Sequence, residues 1–298
     1  MQDLTPSTAG EPADLHFVRV FSAAPGGGNP APVRLDADAL GADDMKGIAA
    51  RYGHESAFVC APRDAAHTCR LRFFVPNHEM EMCGHATVGA MWLLRELGRW
   101  TSDTATIETM SGLVDARFNA ATQSVEVSQP RGSVEPIADE RLRAAICDVL
   151  RIDAAELDAL DIVNATTSRT KTLIPLRSVQ RLHELQPSFA DVRALCDALD
   201  STGLYPFAVE RRAPLDVHAR QWPRSSGYPE DAATGIAAAA TLYGALHYGL
   251  LKNGDAAMTV RQGYAMGKPS CIRVELRDPA RAEAGCWISG AVERMTAG

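Results

Sequence analysis

Apolar residues along this chain fall into two kinds of run. Short runs, alternating or continuous, predict strands: "DLHFVRVFSA" (14–23), "ESAFVC" (55–60) and "TCRLRFFVP" (68–76) are of this kind. So are "ATIETMSGLVDARF", "SVEVSQP", "KTLIPL", "YPFAVE", "LDVHARQWP" (215–223), "AMTVRQG", "SCIRVEL" and "CWISGAVERM". Helical spacing predicts helices over 36–53, 139–150 and 189–201. "APGGGNP" (24–30) predicts a loop, since three glycines and a proline neither continue a strand nor start a helix. Two long segments behave differently. Residues 84–100 are apolar through Leu94, with charges only at Arg95, Glu96 and Arg99; residues 235–251 carry no formal charge. Each predicts a helix buried in a soluble core, and 235–251 falls short of the roughly 20 apolar residues of a membrane span.

The order of elements restarts after Pro130. Both halves read helix, strand, strand, acidic loop, buried helix. "IAARYGHESAFV" echoes "LCDALDSTGLYPFAV", and "RLRFFVPNHEMEMCGHATVGA" echoes "HARQWPRSSGYPEDAATGIAA". In that alignment Cys83-Gly84 stands opposite Thr234-Gly235. A repeat of this length implies two domains of one fold with a cleft between them.

Composition narrows the function. The 298 residues are 46% hydrophobic and 22% charged, with net charge −7. That balance argues against a basic nucleic-acid-binding surface and favours a small-molecule partner. Seven cysteines, an odd number without a CxxC pair, argue against a disulfide framework and for a reducing cytoplasm. "MQDLTPSTAGEPADLHF" lacks the basic and apolar regions of a signal peptide; residues 1–13 are expected to be a disordered leader.

Reactive side chains are concentrated in "NHEMEMCGHATVGAMWLL" (77–94), where His78, Glu79, Glu81, Cys83 and His85 run into the first buried segment. Metal ligation is not expected: His78 and His85 are seven apart, and neither HExxH nor a paired Cys/His set occurs. No GxGxxG or P-loop spacing points to a nucleotide, so no cofactor is expected. Gly84 and Gly235 open the two buried helices, where free N–H groups and the helix dipole suit a carboxylate; they can equally be turn formers. Glu55, at the head of "SAFV", is either a solvated charge or an acid/base. Asp231 in "PEDAATG" is either a helix cap or a site residue.

Taken together, "VRVFSAAPGGGNPAPV", "GHESAFV", "LRFFVPNHEMEMCGHATVGA", "MSGLV", "PEDAATG" and "RQGYAMGKPSCIRVEL" resemble the PhzF-like family of phenazine-biosynthesis isomerases, in family order over residues 15–298. The resemblance implies an α+β, diaminopimelate-epimerase-like fold: two pseudo-symmetric domains, each a barrel-like sheet around a central helix. Those helices would be 84–100 and 235–251, and the domains 14–130 plus 286–298, and 131–285. It implies Glu55 as the proton-transferring acid/base, His85 as an orienting histidine and Asp231 as a holder of the substrate's polar groups. Gly84, Gly235, Cys83, Thr234 and Asn29 would bind substrate. A homodimer and a small carboxylate substrate are implied too; the family's type reaction isomerises trans-2,3-dihydro-3-hydroxyanthranilate.

Two departures matter. Epimerase and racemase relatives set two cysteines on one substrate carbon; here Thr234, far too weak an acid, stands opposite Cys83. The serine that many members place after "TG" is Ile236. The expected function is a cofactor-independent isomerase that moves a proton within a small unsaturated or cyclic carboxylic acid. The alternatives are an amino-acid racemase using Glu55 and Cys83, and a non-catalytic binding protein.

Overall fold

The structure, a computed structural model, describes residues 14–251 and 255–295; the expected leader at 1–13 lies outside them. Two compact units divide the chain, one running to Ser128 and resuming at Ser289, the other spanning Gln129–Ile288.

The first unit holds β1 (Leu15–Val20), β2 (Asn29–Arg34), α1 (Ala42–Tyr52), β3 (Ser56–Cys60), β4 (Cys69–Phe74), β5 (Glu79–Met80), α2 (Gly84–Glu96), β6 (Thr104–Thr109), β7 (Gly112–Asn119) and β8 (Ser124–Gln129). The second holds β9 (Ser133–Pro136), α3 (Glu140–Leu150), β10 (Val163–Thr166), β11 (Thr170–Leu176), α4 (Val179–Glu184), α5 (Phe189–Ala198), β12 (Gly203–Arg212), β13 (Leu215–Ala219), β14 (Trp222–Pro223), α6 (Gly235–His247), β15 (Ala257–Gln262), β16 (Ser270–Leu276) and β17 (Cys286–Ser289). The last strand, β18 (Val292–Arg294), pairs antiparallel with β1 in the first unit.

The pairings explain where each strand's apolar residues go. β1–β2 is antiparallel, β2–β3 parallel across α1, β3–β4 antiparallel, and β4–β6 parallel across α2. The second unit runs through the same series: β10–β11 antiparallel, β11–β12 parallel, β12–β13 antiparallel, β13–β15 parallel across α6. Parallel neighbours need a crossover helix, which covers the sheet. β3 is accordingly buried at all five positions: Phe58 and Cys60 join Met45 and Ala49 of α1 in one cluster, and the strand also packs on α2.

α2 and α6 are the two most enclosed helices. Ten of the 13 residues of α2 and 11 of the 13 of α6 are buried. α2 lies against β1, β2 and β3; α6 lies against β10, β11 and β16. Both helices are shorter than their apolar runs predict, ending at Glu96 and His247 instead of 100 and 251. The chain turns at Gly98 (φ 68°) and Gly249 (φ 65°), left-handed positions that glycine takes without a Cβ penalty. β5, β9, β10 and α4 are too short to carry a readable period. Among the described residues no helix is long and apolar enough to cross a membrane.

Gly89 fixes how closely α2 approaches its sheet: a Cβ there would stand 2.8 Å from a Val18 methyl and 2.9 Å from a Val20 methyl. Gly89→Leu is therefore expected to destabilise the chain by about 1–3 kcal/mol through overpacking. Gly47, exposed in α1 with nothing within 4 Å of its added Cβ, provides the contrast: Gly47→Ala should stabilise by about 0.5–1 kcal/mol. Urea denaturation of the two variants checks both signs.

Candidate active site

Glu55 is placed by a tight exit from α1. Gly53 ends that helix in the left-handed region (φ 66°), its N–H donating to the Ala49 carbonyl at 2.9 Å. The chain then enters β3 through His54, which is buried and accepts at its carbonyl a bond from Ser56 Oγ at 3.1 Å. Cys83 is the N-cap residue of α2 in extended conformation (φ −137°, ψ 108°). Thr87 ties that turn down, its N–H (2.9 Å) and hydroxyl (2.7 Å) both donating to the Cys83 carbonyl.

These two starts, of a strand and a helix, bring three side chains together. Cys83 Sγ donates to Glu55 Oε2 at 3.1 Å. Cys83 Sγ and His85 Nδ1 are 3.5 Å apart, and His85 Nδ1 lies 3.5 Å from the same Glu55 oxygen. All three donor atoms fall within 4.8 Å of one another, the one such group of three among the described residues. Cys83 is buried, and His85 and Glu55 side chains are 5% and 15% exposed. His85 Nε2 is buried with no hydrogen-bond partner among the described residues, although burying a polar group unpaired costs about 1–3 kcal/mol.

The group can exchange protons between neighbouring acids and bases, and it offers a thiol, an imidazole and a carboxylate to a cation. Spacing along the chain does not disclose it, because Glu55 arrives from 28 residues upstream of Cys83. Gly84 opens α2 between Cys83 and His85, so this helix start belongs to the same group. Asn29 heads β2, buried, paired in register with Val20. His78 and Glu81 lie on the exposed side of the loop, whereas Glu79 forms a bidentate pair with Arg72 at 2.7 Å.

In the second unit the start of α6 is organised by a residue the motifs do not single out. Gln262, fully buried at the end of β15, donates through Nε2 to the Asp231 carbonyl at 2.7 Å and to Thr234 Oγ1 at 3.1 Å. Its Oε1 accepts from Tyr205 at 2.9 Å and from the Thr234 N–H at 3.2 Å. Thr234 in turn donates to Asp231 Oδ2 at 2.5 Å. Thr234 is the N-cap residue and Gly235 the first residue of α6; Ile236 beside them is buried. Burial pushes the Tyr205 hydroxyl's pKa up, which keeps it a donor.

The loop carrying Asp231 is held by a buried ion pair. Arg220 grips Glu230 at 2.8 and 2.6 Å and donates to the Leu182 and Leu185 carbonyls at 3.2 and 2.7 Å. Glu230 is thus a structural anchor next to Asp231.

A model of the phenazine biosynthesis-like protein family (PhzC-PhzF) matches residues 18–292. An uncharacterized isomerase of Deinococcus radiodurans is 30% identical over 290 residues, covering 93% of this chain and 92% of that protein. The uncharacterized isomerase YfhB of Bacillus subtilis is 29% identical over 273 residues, covering 89% and 91%. Among solved structures, the Bacillus anthracis phenazine biosynthesis protein of the PhzF family aligns with a TM-score of 0.82 at 24% identity, covering 95% of this chain and 96% of that one. That last likeness establishes the fold alone.

Arg220→Met would leave Glu230 charged and unpaired among buried groups. It is expected to cost about 3–5 kcal/mol, and Arg220→Met with Glu230→Leu to recover most of that loss. Equilibrium denaturation of the single and double variants measures both.

Proposed function

The chain belongs to the PhzC-PhzF family of phenazine biosynthesis-like proteins, and we propose that it is an isomerase that moves a proton within a small unsaturated or cyclic carboxylic acid. Glu55 is the proposed proton carrier. The observation that supports this reading is the enclosed triangle of Glu55, Cys83 and His85 at the start of α2. A carboxyl that has neighbours able to donate or accept, and is largely removed from water, can take a proton from one substrate carbon and return it to another in one turnover. The α2 N-terminus, with Gly84 allowing close approach, suits a substrate carboxylate. His85 Nε2, buried and without a partner among the described residues, would supply one hydrogen bond that fixes the substrate's orientation.

The reading also takes each unit as an epimerase-like barrel around its enclosed helix. The substrate-holding roles of Asp231, Thr234, Gly235 and Asn29 are proposed from the family motifs. No cofactor is proposed. Cys83 is read as the donor that orients Glu55 Oε2, and the phenazine-type substrate itself is left out of the proposal because Ile236 replaces a hydroxyl.

The test is proton NMR in D₂O against a panel of small unsaturated and cyclic carboxylic acids. The expected result is a shifted double bond with deuterium at the new C–H position, at a rate unchanged by EDTA. Deuterium at one α-carbon with loss of chirality and no change of connectivity would instead establish a racemase. Binding of a panel member without turnover would establish a binding protein.

A further inference from the structure

We propose that Glu55, Cys83 and His85 form a site for a thiophilic divalent cation, zinc in type, whose occupancy reversibly switches off proton transfer by Glu55. The site stands on the geometry alone; the effect on turnover rests on the isomerase reading above.

The separations are those that a single ion requires. With zinc bonded at about 2.3 Å to sulfur and about 2.0–2.1 Å to nitrogen and oxygen, tetrahedral ligands stand about 3.3–3.6 Å apart. Here the three edges are 3.1, 3.5 and 3.5 Å, so movement of a few tenths of an ångström completes the face. Thiolate, imidazole and carboxylate together select zinc over magnesium or calcium, which take oxygen ligands.

Charge favours the same occupant. Without metal, the Cys83 thiol proton lies between Sγ and Glu55 Oε2. Removing it would set a thiolate against a carboxylate at 3.1 Å in an enclosed site, a strong repulsion at low dielectric. A dication neutralises both, and the positive end of α2 supports the thiolate further. Binding therefore exchanges one proton for one ion: the S–H bond breaks, the S–metal bond forms, and the proton leaves to solvent.

Three protein ligands leave one coordination position open. The usual support of a ligating histidine, a partner on its other ring nitrogen, is missing at His85 Nε2 among the described residues. Both features describe a site that fills and empties instead of one built to retain a metal. While filled, Glu55 is a ligand and cannot accept a proton.

The test uses the full chain, reduced, stripped with EDTA and kept anaerobic. Titration with Co²⁺ should produce a thiolate-to-cobalt charge-transfer band that saturates at one ion per chain and is bleached by one equivalent of Zn²⁺. The band should vanish in Cys83→Ser and survive Cys147→Ser and Cys271→Ser, two thiols that are only partly buried. His85→Ala and Glu55→Gln should each weaken Co²⁺ binding about tenfold or more, with circular dichroism and thermal midpoint confirming that both variants fold. Stoichiometric Zn²⁺ should stop turnover, and EDTA restore it. No band, or a band that persists in Cys83→Ser, would overturn the site. Cobalt bound through Cys83 with turnover unaffected by zinc would overturn the switch while leaving the isomerase reading standing.

Discussion

The first unit is governed by the enclosure of α2. Ten of its 13 residues are buried, against β1, β2 and β3, and its first turn is buried with the rest. Cys83, Gly84 and His85 are buried with it, so whatever chemistry they carry is kept at low dielectric, where electrostatic interactions are strongest. Gly89 sets how tightly α2 sits on β1, and the parallel crossovers set which strands pack on it. The parallel pairing of β2 with β3 delivers Glu55 to the place where the helix begins. Removing that enclosure would turn the three side chains into an ordinary solvated cluster.

Much of this was legible in the sequence, for identifiable reasons. The uncharged run to Leu94 marks α2 as buried, and the "GH" and "CGH" contexts mark Glu55 and His85 as candidates. What was not legible is their meeting, because proximity of Glu55 to Cys83 is a consequence of strand pairing and not of spacing. Gln262 is a different case. Met258, Val260 and Gln262 share one parity of β15 and all are buried, so alternation alone places the amide inward; what it bonds emerges only from the fold. Arg220 gives no such signal: it lies between β13 and β14 near the buried polar residues His218 and Gln221, and its pairing with Glu230 emerges only from the fold. The short elements β5, β9 and α4 lack a period altogether.

The triangle also reframes Cys83. Its thiol is buried, as a packing cysteine's would be, yet it donates to Glu55, so packing alone does not describe it. The residue matched to it in the second half is Thr234, whose hydroxyl instead joins Asp231 and Gln262. One helix start thus gathers a thiol, an imidazole and a carboxylate, and the other a fixed hydrogen-bond network. That asymmetry favours one carboxyl carrying a proton between two carbons over two thiols exchanging protons on one carbon. The proposed zinc site follows from the same geometry, with the ion taking the position of the thiol proton.

The most direct measurement is the turnover of Glu55→Gln against that of Cys83→Ala on the same substrate. An amide cannot act as a carboxyl acid/base, so Glu55→Gln should keep substrate affinity and lose at least about 10²–10⁴-fold in kcat, roughly 3 kcal/mol or more of barrier. Cys83→Ala should lose far less, since it removes a donor to Glu55 and leaves the carboxyl in place. The reverse order, an inactive Cys83→Ala beside a nearly intact Glu55→Gln, would contradict Glu55 as the proton carrier and make the thiol the base.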